Sequence, residues 1–210
     1  MSRPFLLFDF DGTIADSLHF GLSIVNKFAL SHGLTQINEA DIIELQNLSS
    51  MQALKRLKIP IYKIPYYVSI LLHEYKQQIY KLQPFPDIVN VLNELKNLSI
   101  PMALITSNSK SNVVEFLQSN TADVFNWIEG GAGIFQKHIV IKHQIKKHGL
   151  KDYDIYYIGD ETRDIIAARK CHIKIISVSW GFQSYNILSQ FDPDFIANSP
   201  FELLHIASHL

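Results

Sequence analysis

The sequence predicts an α/β fold: a doubly wound, Rossmann-like parallel sheet with a small α-helical cap inserted after strand 1. Three observations predict it. Apolar runs of strand length alternate with stretches of helical periodicity along most of the 210 residues, the pattern of a parallel sheet covered on both faces. The first of these runs is continuously apolar, as a strand buried on both faces is. Residues from about 35 to 83 contain no strand-like run followed by a Gly turn, so residues 17–83 read as a helical insertion. The expected organisation is a core of residues 1–16 and 84–210 and a cap of residues 17–83.

Residues 5–10 form strand 1, built from Phe5-Leu6-Leu7-Phe8 and its continuation. Asp16 and Ser17 are candidate N-caps for the helix that follows. Leu18, Leu22, Val25 and Ala29 recur there at helical steps, and His32-Gly33 ends it. Short helices are expected around 39–48, 50–57 and 66–82, broken by Pro60 and Pro65. Pro84-Phe85-Pro86 marks the return to the core.

Asp87 opens a helix carrying Ile88, Val91, Leu92, Leu95 and Leu98 on one face. Residues 101–106 form strand 2, and Ser107-Asn108-Ser109 caps the next helix, whose inner face holds Val113, Val114 and Leu117. Residues 125–128 read as a weak strand before the Gly130–Gly133 turn. A helix over 139–148 ends at Gly149; strand 4 (155–158), a helix (165–169), strand 5 (173–178), a short strand at 195–196 and a helix over 201–208 complete the chain.

Composition narrows the function. With 19 basic and 20 acidic residues and a formal net charge of −1, there is no basic field for nucleic acid or an anionic membrane. No apolar stretch approaches the roughly 18 residues of a membrane span. Cys171 is the single cysteine, so no intramolecular disulfide framework exists. A reducing, cytoplasmic location is expected, and the N-terminus leaves no room for a signal peptide.

Polar signals follow four of the predicted strands: Asp9/Asp11, Thr106, Lys137 after the Gly-rich turn, and Asp160/Asp164. Parallel strands bring their carboxyl ends to one edge, where open α/β sheets hold ligands. Asp9 and Asp11, two apart in an extended chain, face the same way. Crowded carboxylates repel unless a cation or a reaction uses them. Asp9, Asp11 and Asp160 offer hard oxygen ligands suited to Mg²⁺. Lys137, the Thr106 hydroxyl and backbone N–H groups near Gly12 suit a phosphate. In that arrangement Asp9 attacks phosphorus to give an aspartyl-phosphate, and Asp11 protonates the leaving oxygen and then deprotonates the hydrolytic water. Asp164 acts as outer support for Asp160, Lys137 or a metal-bound water. Lys142 is a rival to Lys137, but it leaves only seven positions to Gly149.

The segments FDFDGTIADS (8–17), LITSNS (104–109), GIFQKHIVIKHQIKKHGL (133–150) and YIGDETRD (157–164) resemble, in this order and spacing, the haloacid dehalogenase superfamily. The resemblance implies a Rossmann-like core, Mg²⁺ dependence and a phosphoaspartate intermediate. It implies Asp9 as nucleophile and Asp11 as acid/base, with the Asp11 backbone carbonyl on the metal. It further implies Thr106, Ser107, Lys137 and Gly12 at the phosphate, Asp160 as a metal ligand, and Asp164 and Glu161 behind it. The insertion after the first motif is similar to the cap of the phosphoglycolate-phosphatase-like branch. The presence of Asp11 favours phosphoryl transfer over dehalogenation. The expected activity is a Mg²⁺-dependent phosphomonoester hydrolase acting on a small phosphorylated metabolite. A phosphomutase is the alternative, disfavoured because Gly21 stands where such mutases carry a histidine. A non-catalytic binding protein on the same fold is a further alternative.

Other features have plainer readings. His138, His143 and His148 recur every five residues, which does not align them on one helical face. His205 and His209 read as a solvated helix tail. Cys171 reads as a buried structural thiol. Trp180-Gly181-Phe182 lines the site rim or packs under the cap. Lys55, Arg56, Lys58, Lys63, Tyr62, Tyr66 and Tyr67 are the cap residues available to a leaving group.

Overall fold

Strand β1 (Arg3–Phe8) lies at the centre of one six-stranded sheet, with β2 (Met102–Ile105) and β3 (Ile128–Glu129) on one side. On the other side follow β4 (Tyr153–Gly159), β5 (Lys174–Val178) and β6 (Phe195–Ala197). All neighbours pair in parallel, in the order β3-β2-β1-β4-β5-β6. This computed structural model describes residues 3–31, 36–48, 78–132 and 136–210, with residues 52, 62, 66, 69–70 and 73–74 between them.

The strand order reverses between β1 and β4. Loops leaving those two strands therefore diverge to opposite faces and open a crevice at their carboxyl ends. Leu7 pairs with Ala103 on one side and Tyr157 on the other, so β1 is buried at both edges as well as on both faces.

The helices are α1 (Ser17–Ser31), α2 (Glu39–Gln46), α3 (Ile88–Asn97), α4 (Lys110–Ser119), α5 (Lys137–Lys147), α6 (Thr162–Cys171), α7 (Tyr185–Ser189) and α8 (Pro200–Ser208). Leu6 and Phe8 of β1 point to one face, into a core shared with Leu92, Leu95, Val113, Phe116 and Leu203 of α3, α4 and α8. Phe5 and Leu7 point to the other, against Ile141, Ile165 and Ala168 of α5 and α6. This alternation is the period-two pleat read across a sheet covered on both sides.

Everything described between β1 and α3 is helical or irregular, apart from one pair of isolated bridges. Ala15 bridges Pro84 in antiparallel fashion, with Asp16 N–H donating to Gln83 O and Phe85 N–H to Ile14 O. The outgoing and returning chains thus meet at residues 14–16 and 83–85. A capping box between Asn38 and Asp41 starts α2. Of the helix expected over 50–57 only residue 52 is described, and of that over 66–82 residues 66, 69–70, 73–74 and 78–82; Pro60, Pro65, His32-Gly33, Gly133, Lys55, Arg56, Lys58, Lys63 and Tyr67 lie outside the described residues. Tyr62 and Tyr66 are exposed. No helix among the described residues is long and apolar enough to cross a membrane.

Three local expectations are corrected. Strand 1 stops at Phe8 rather than 10, because the chain turns at Gly12 and Phe10 O collects the N–H groups of Thr13, Ile14 and Ala15. The weak strand falls at Ile128–Glu129 rather than 125–128. There the Asn126 side chain accepts the Met102 N–H, and Phe125 leaves the edge to pack edge-on against Phe8. Asp87 sits before α3 in the left-handed region (φ 64) and makes no side-chain cap, rather than lying in the first turn. Ser109 does cap α4, accepting from Asn112 N–H.

Candidate active site

The sheet edge at the end of β1 and β4 is assembled by close backbone approach. Asp9 N–H donates to Ile158 O at 2.8 Å, continuing the ladder one residue past β1. Gly12 then takes φ +76, and a Cβ there would stand 2.1 Å from an Asp160 carboxylate oxygen. At Gly181 a Cβ would come within 2.2 Å of Gly12 O and 2.4 Å of the same carboxylate. Only glycine allows these chains to close on Asp160.

Lys137, at the start of α5, is 4% exposed. Its Nζ donates to Asp9 Oδ2 at 2.6 Å and to Asp164 Oδ1 at 2.7 Å, and it stands 5.4 Å from the centre of the Tyr157 ring. Asp9 Oδ1 accepts from Phe10 N–H. Asp160, fully buried, accepts from the Thr13 hydroxyl at 3.2 Å and from Phe182 N–H at 2.7 Å. Asp164 Oδ2 accepts from Glu161 N–H. Carboxylate oxygens of Asp9, Asp160 and Asp164 lie within 4.8 Å of one another.

The electrostatics record an excess of buried negative charge. Burial pushes the Asp9 carboxyl up to about 6, against the pull of the Lys137 ammonium and with the push of Asp164. Burial, then the neighbouring Glu161 and Asp164, raises Asp160 well above the carboxylate range. Burial works to discharge Lys137, but Asp164 and Asp9 overcome it and hold the ammonium charged. When all three carboxyls are ionised, one ammonium among them leaves a net negative pocket of hard oxygen donors, which fits a divalent cation such as Mg²⁺.

Asp9, Lys137, Asp160 and Asp164 are thus brought into one contact network. Asp11 is held by a different partner: Asn108 Nδ2 donates to its carboxylate at 3.2 Å. Thr106 is fully buried at the end of β2, and its hydroxyl accepts from Asn108 N–H. Ser107 between them is half-buried. Gly12 N–H donates to the Ser17 hydroxyl at 3.0 Å, so its most evident contribution is steric. Glu161 precedes α6 and pairs with Arg163. Lys142 is exposed, which separates it from Lys137.

Asn108, Thr13 and Gln183 were not expected at this edge from the sequence, and Trp180-Gly181-Phe182 only as a rim or as packing under the cap. Asn108 stood inside the quoted 104–109 run, but only as part of a cap. Thr13, Phe182 and Gln183 contribute bonds that depend on tertiary approach, and Trp180 Nε1–H donates to Thr13 O at 3.0 Å. Residues 180–182 therefore belong to the wall of the site. His143 and His148 are exposed and His138 half-buried; the His148 ring stacks on Trp127. Cys171 is half-buried, and its thiol donates to His138 O.

Comparison with known proteins agrees with this geometry. The profile of the haloacid dehalogenase-like hydrolases matches residues 6–178. A phosphoglycolate phosphatase of Synechococcus elongatus is 30% identical over 98% of this chain and 97% of its own length. A haloacid dehalogenase-like hydrolase of Streptococcus pneumoniae superposes with a TM-score of 0.80 at 26% identity, covering 98% of both chains. A predicted phosphatase of Clostridium acetobutylicum superposes with a TM-score of 0.82 over all of both chains at 22% identity, a likeness of fold. The chain belongs to the haloacid dehalogenase-like hydrolase family.

Proposed function

We propose that this hydrolase is a Mg²⁺-dependent phosphomonoesterase acting on a small organophosphate, of phosphoglycolate or sugar-phosphate type, through an aspartyl-phosphate on Asp9. The observation that carries the reading is the buried Asp9–Lys137–Asp164 network with Asp160 beside it. The Synechococcus elongatus relative, named a phosphoglycolate phosphatase, supports the substrate class.

Asp9, Asp160 and the Asp11 backbone carbonyl are the residues that would hold Mg²⁺, with Asp164 behind them. The cation supplies charge screening between an anionic ester and a carboxylate nucleophile. Two unit charges at ~4 Å repel by about 4 kcal/mol at a surface-like dielectric, and Lys137 screens the same encounter. An Asp9 carboxylate oxygen bonds to phosphorus as the ester oxygen departs, taking a proton from Asp11. Asp11 then removes a proton from water, which attacks phosphorus and releases inorganic phosphate and the Asp9 carboxylate. Asn108 orients Asp11 for both transfers. Thr106 and Ser107 close the phosphate pocket from β2. The helical insertion over 17–83 serves as the cap that excludes bulk water. The unpaired Cys171 is consistent with a reducing, cytoplasmic setting.

The test is phosphate release across a panel of small phosphate esters, with Mg²⁺ and with chelator. Release from phosphoglycolate or a sugar phosphate that chelator abolishes is the expected result. No release from any ester, or release indifferent to chelator, overturns the reading. An isomeric product without inorganic phosphate assigns the protein to the mutases instead.

A further inference from the structure

Residues 181–184 run between the candidate metal site and the helical insertion and are bonded to both. On the site side, Gly181 packs against Gly12 and Asp160, and Phe182 N–H donates to Asp160 Oδ2 at 2.7 Å. On the insertion side, Gln46 Nε2–H donates to Gly181 O (3.1 Å) and Ser184 N–H to Gln46 O (2.9 Å). The Ser184 hydroxyl donates to Asn47 Oδ1 (2.6 Å), and Gln183 Nε2–H to Leu48 O (2.7 Å). All of these bonds reach the C-terminal end of α2.

Gln183 joins the two sides through one side chain. It is 3% exposed. Its amide oxygen accepts the N–H of Thr162, the first residue of α6, while its amide nitrogen donates to Leu48 O. Thr162 N–H is one of the donors a helix start leaves without an intrahelical partner, and α6 is the helix that carries Asp164. A glutamine accepts at one end and donates at the other. Methionine can do neither, and an ionised glutamate can only accept.

We propose that Gln183 is a positioning residue that couples the seating of the helical insertion to the placement of Asp160 and Asp164. This rests on the reading that those carboxylates serve a divalent cation. When α2 is seated, its last residues and the next two hold 181–184 in place, and that loop presents Phe182 N–H to Asp160 while Gln183 fixes the start of α6. When α2 withdraws, the same loop loses its outer bonds and both carboxylates lose a support.

The experiment compares Gln183→Met and Gln183→Glu with the unaltered protein. Amide hydrogen exchange is followed at Thr162, Phe182 and Ser184, and Mg²⁺ binding by calorimetric titration. Gln183→Met is expected to speed exchange at all three amides by about tenfold, the scale of one lost buried hydrogen bond, and to weaken Mg²⁺ binding several-fold. Gln183→Glu is expected to keep Thr162 protected but to speed exchange at Ser184. Unchanged exchange at Phe182 and Ser184 in Gln183→Met, with unchanged Mg²⁺ affinity, overturns the coupling. Should Gln183→Met not fold, Gln46→Met removes the Gln46–Gly181 bond from the part-exposed end of α2. Faster exchange at Phe182 and Ser184 then supports the coupling, and unchanged exchange there overturns it. Failure of the phosphatase reading shows separately, as absence of Mg²⁺-dependent turnover in the unaltered protein, while the exchange measurements still report on the loop.

Discussion

Replacing Lys137 with Met is the perturbation whose consequences the geometry constrains most. Lys137 is 4% exposed and bonds Asp9 and Asp164 at 2.6 and 2.7 Å. Methionine retains most of the side-chain volume, so the cavity contribution is small. The ammonium is lost, and two buried carboxylates keep their charge with only a backbone N–H each, Phe10 on Asp9 and Glu161 on Asp164, to offset it. Breaking a buried ion pair from one side costs about 3–5 kcal/mol. Because this ammonium serves two carboxylates, the loss belongs at the upper end, about 5 kcal/mol near pH 8 without divalent cations. A domain's total stability is about 5–15 kcal/mol, so the variant is near its folding limit there. The penalty also carries a pH signature. Carboxylates left behind can take up protons in mild acid, so the loss should shrink to less than about half near pH 5. Urea denaturation of both proteins at the two pH values, in chelator, measures this directly. A loss below about 1 kcal/mol near pH 8, the scale of an exposed pair, refutes the reasoning. So does a loss of equal size at both pH values.

Two further predictions follow from the same site. Gly12→Ala should lower stability by at least about 1–3 kcal/mol, because its Cβ would stand 2.1 Å from the Asp160 carboxylate at φ +76; thermal melting checks it, together with a loss of Mg²⁺ affinity. The Asp9 carboxyl is raised from 3.8 to about 6, so the folded state holds its proton longer than the unfolded chain does. That contribution to the stability of the metal-free protein is lost as pH rises from about 4 to about 6 and amounts to about 3 kcal/mol. Mg²⁺ should therefore raise the melting temperature more near pH 8 than near pH 5, measured by scanning calorimetry.

Apart from the short edge strand at Ile128–Glu129, the sheet was legible because its strands announced themselves as short apolar runs followed by Gly or a polar turn. Asp9, Asp160 and Lys137 were legible because a parallel sheet sends every carboxyl end to one edge. Lys142 is exposed, whereas Lys137 is buried against Asp9 and Asp164. What the sequence did not disclose depends on approach between segments far apart in the chain. Asn108 reaches Asp11 across 97 positions, and Gln183 reaches Leu48 across 135; no local pattern encodes either. The left-handed Asp87 and the shifted edge strand at Ile128 are local conformations set by their surroundings, beyond the reach of periodicity. The sequence placed Trp180-Gly181-Phe182 at the site rim or under the cap, but did not show the close approach of the Gly12 carbonyl to Gly181.

The central claim is that Asp9 is phosphorylated during turnover. Acid quench in the first turnovers, followed by borohydride reduction, converts an aspartyl-phosphate to homoserine and marks its position in the peptide map. The account predicts homoserine at position 9 in protein quenched with substrate and Mg²⁺, none without substrate, and none in Asp9→Asn, which should fold and release no phosphate. Homoserine at another aspartate, or Mg²⁺-dependent phosphate release retained by Asp9→Asn, contradicts it.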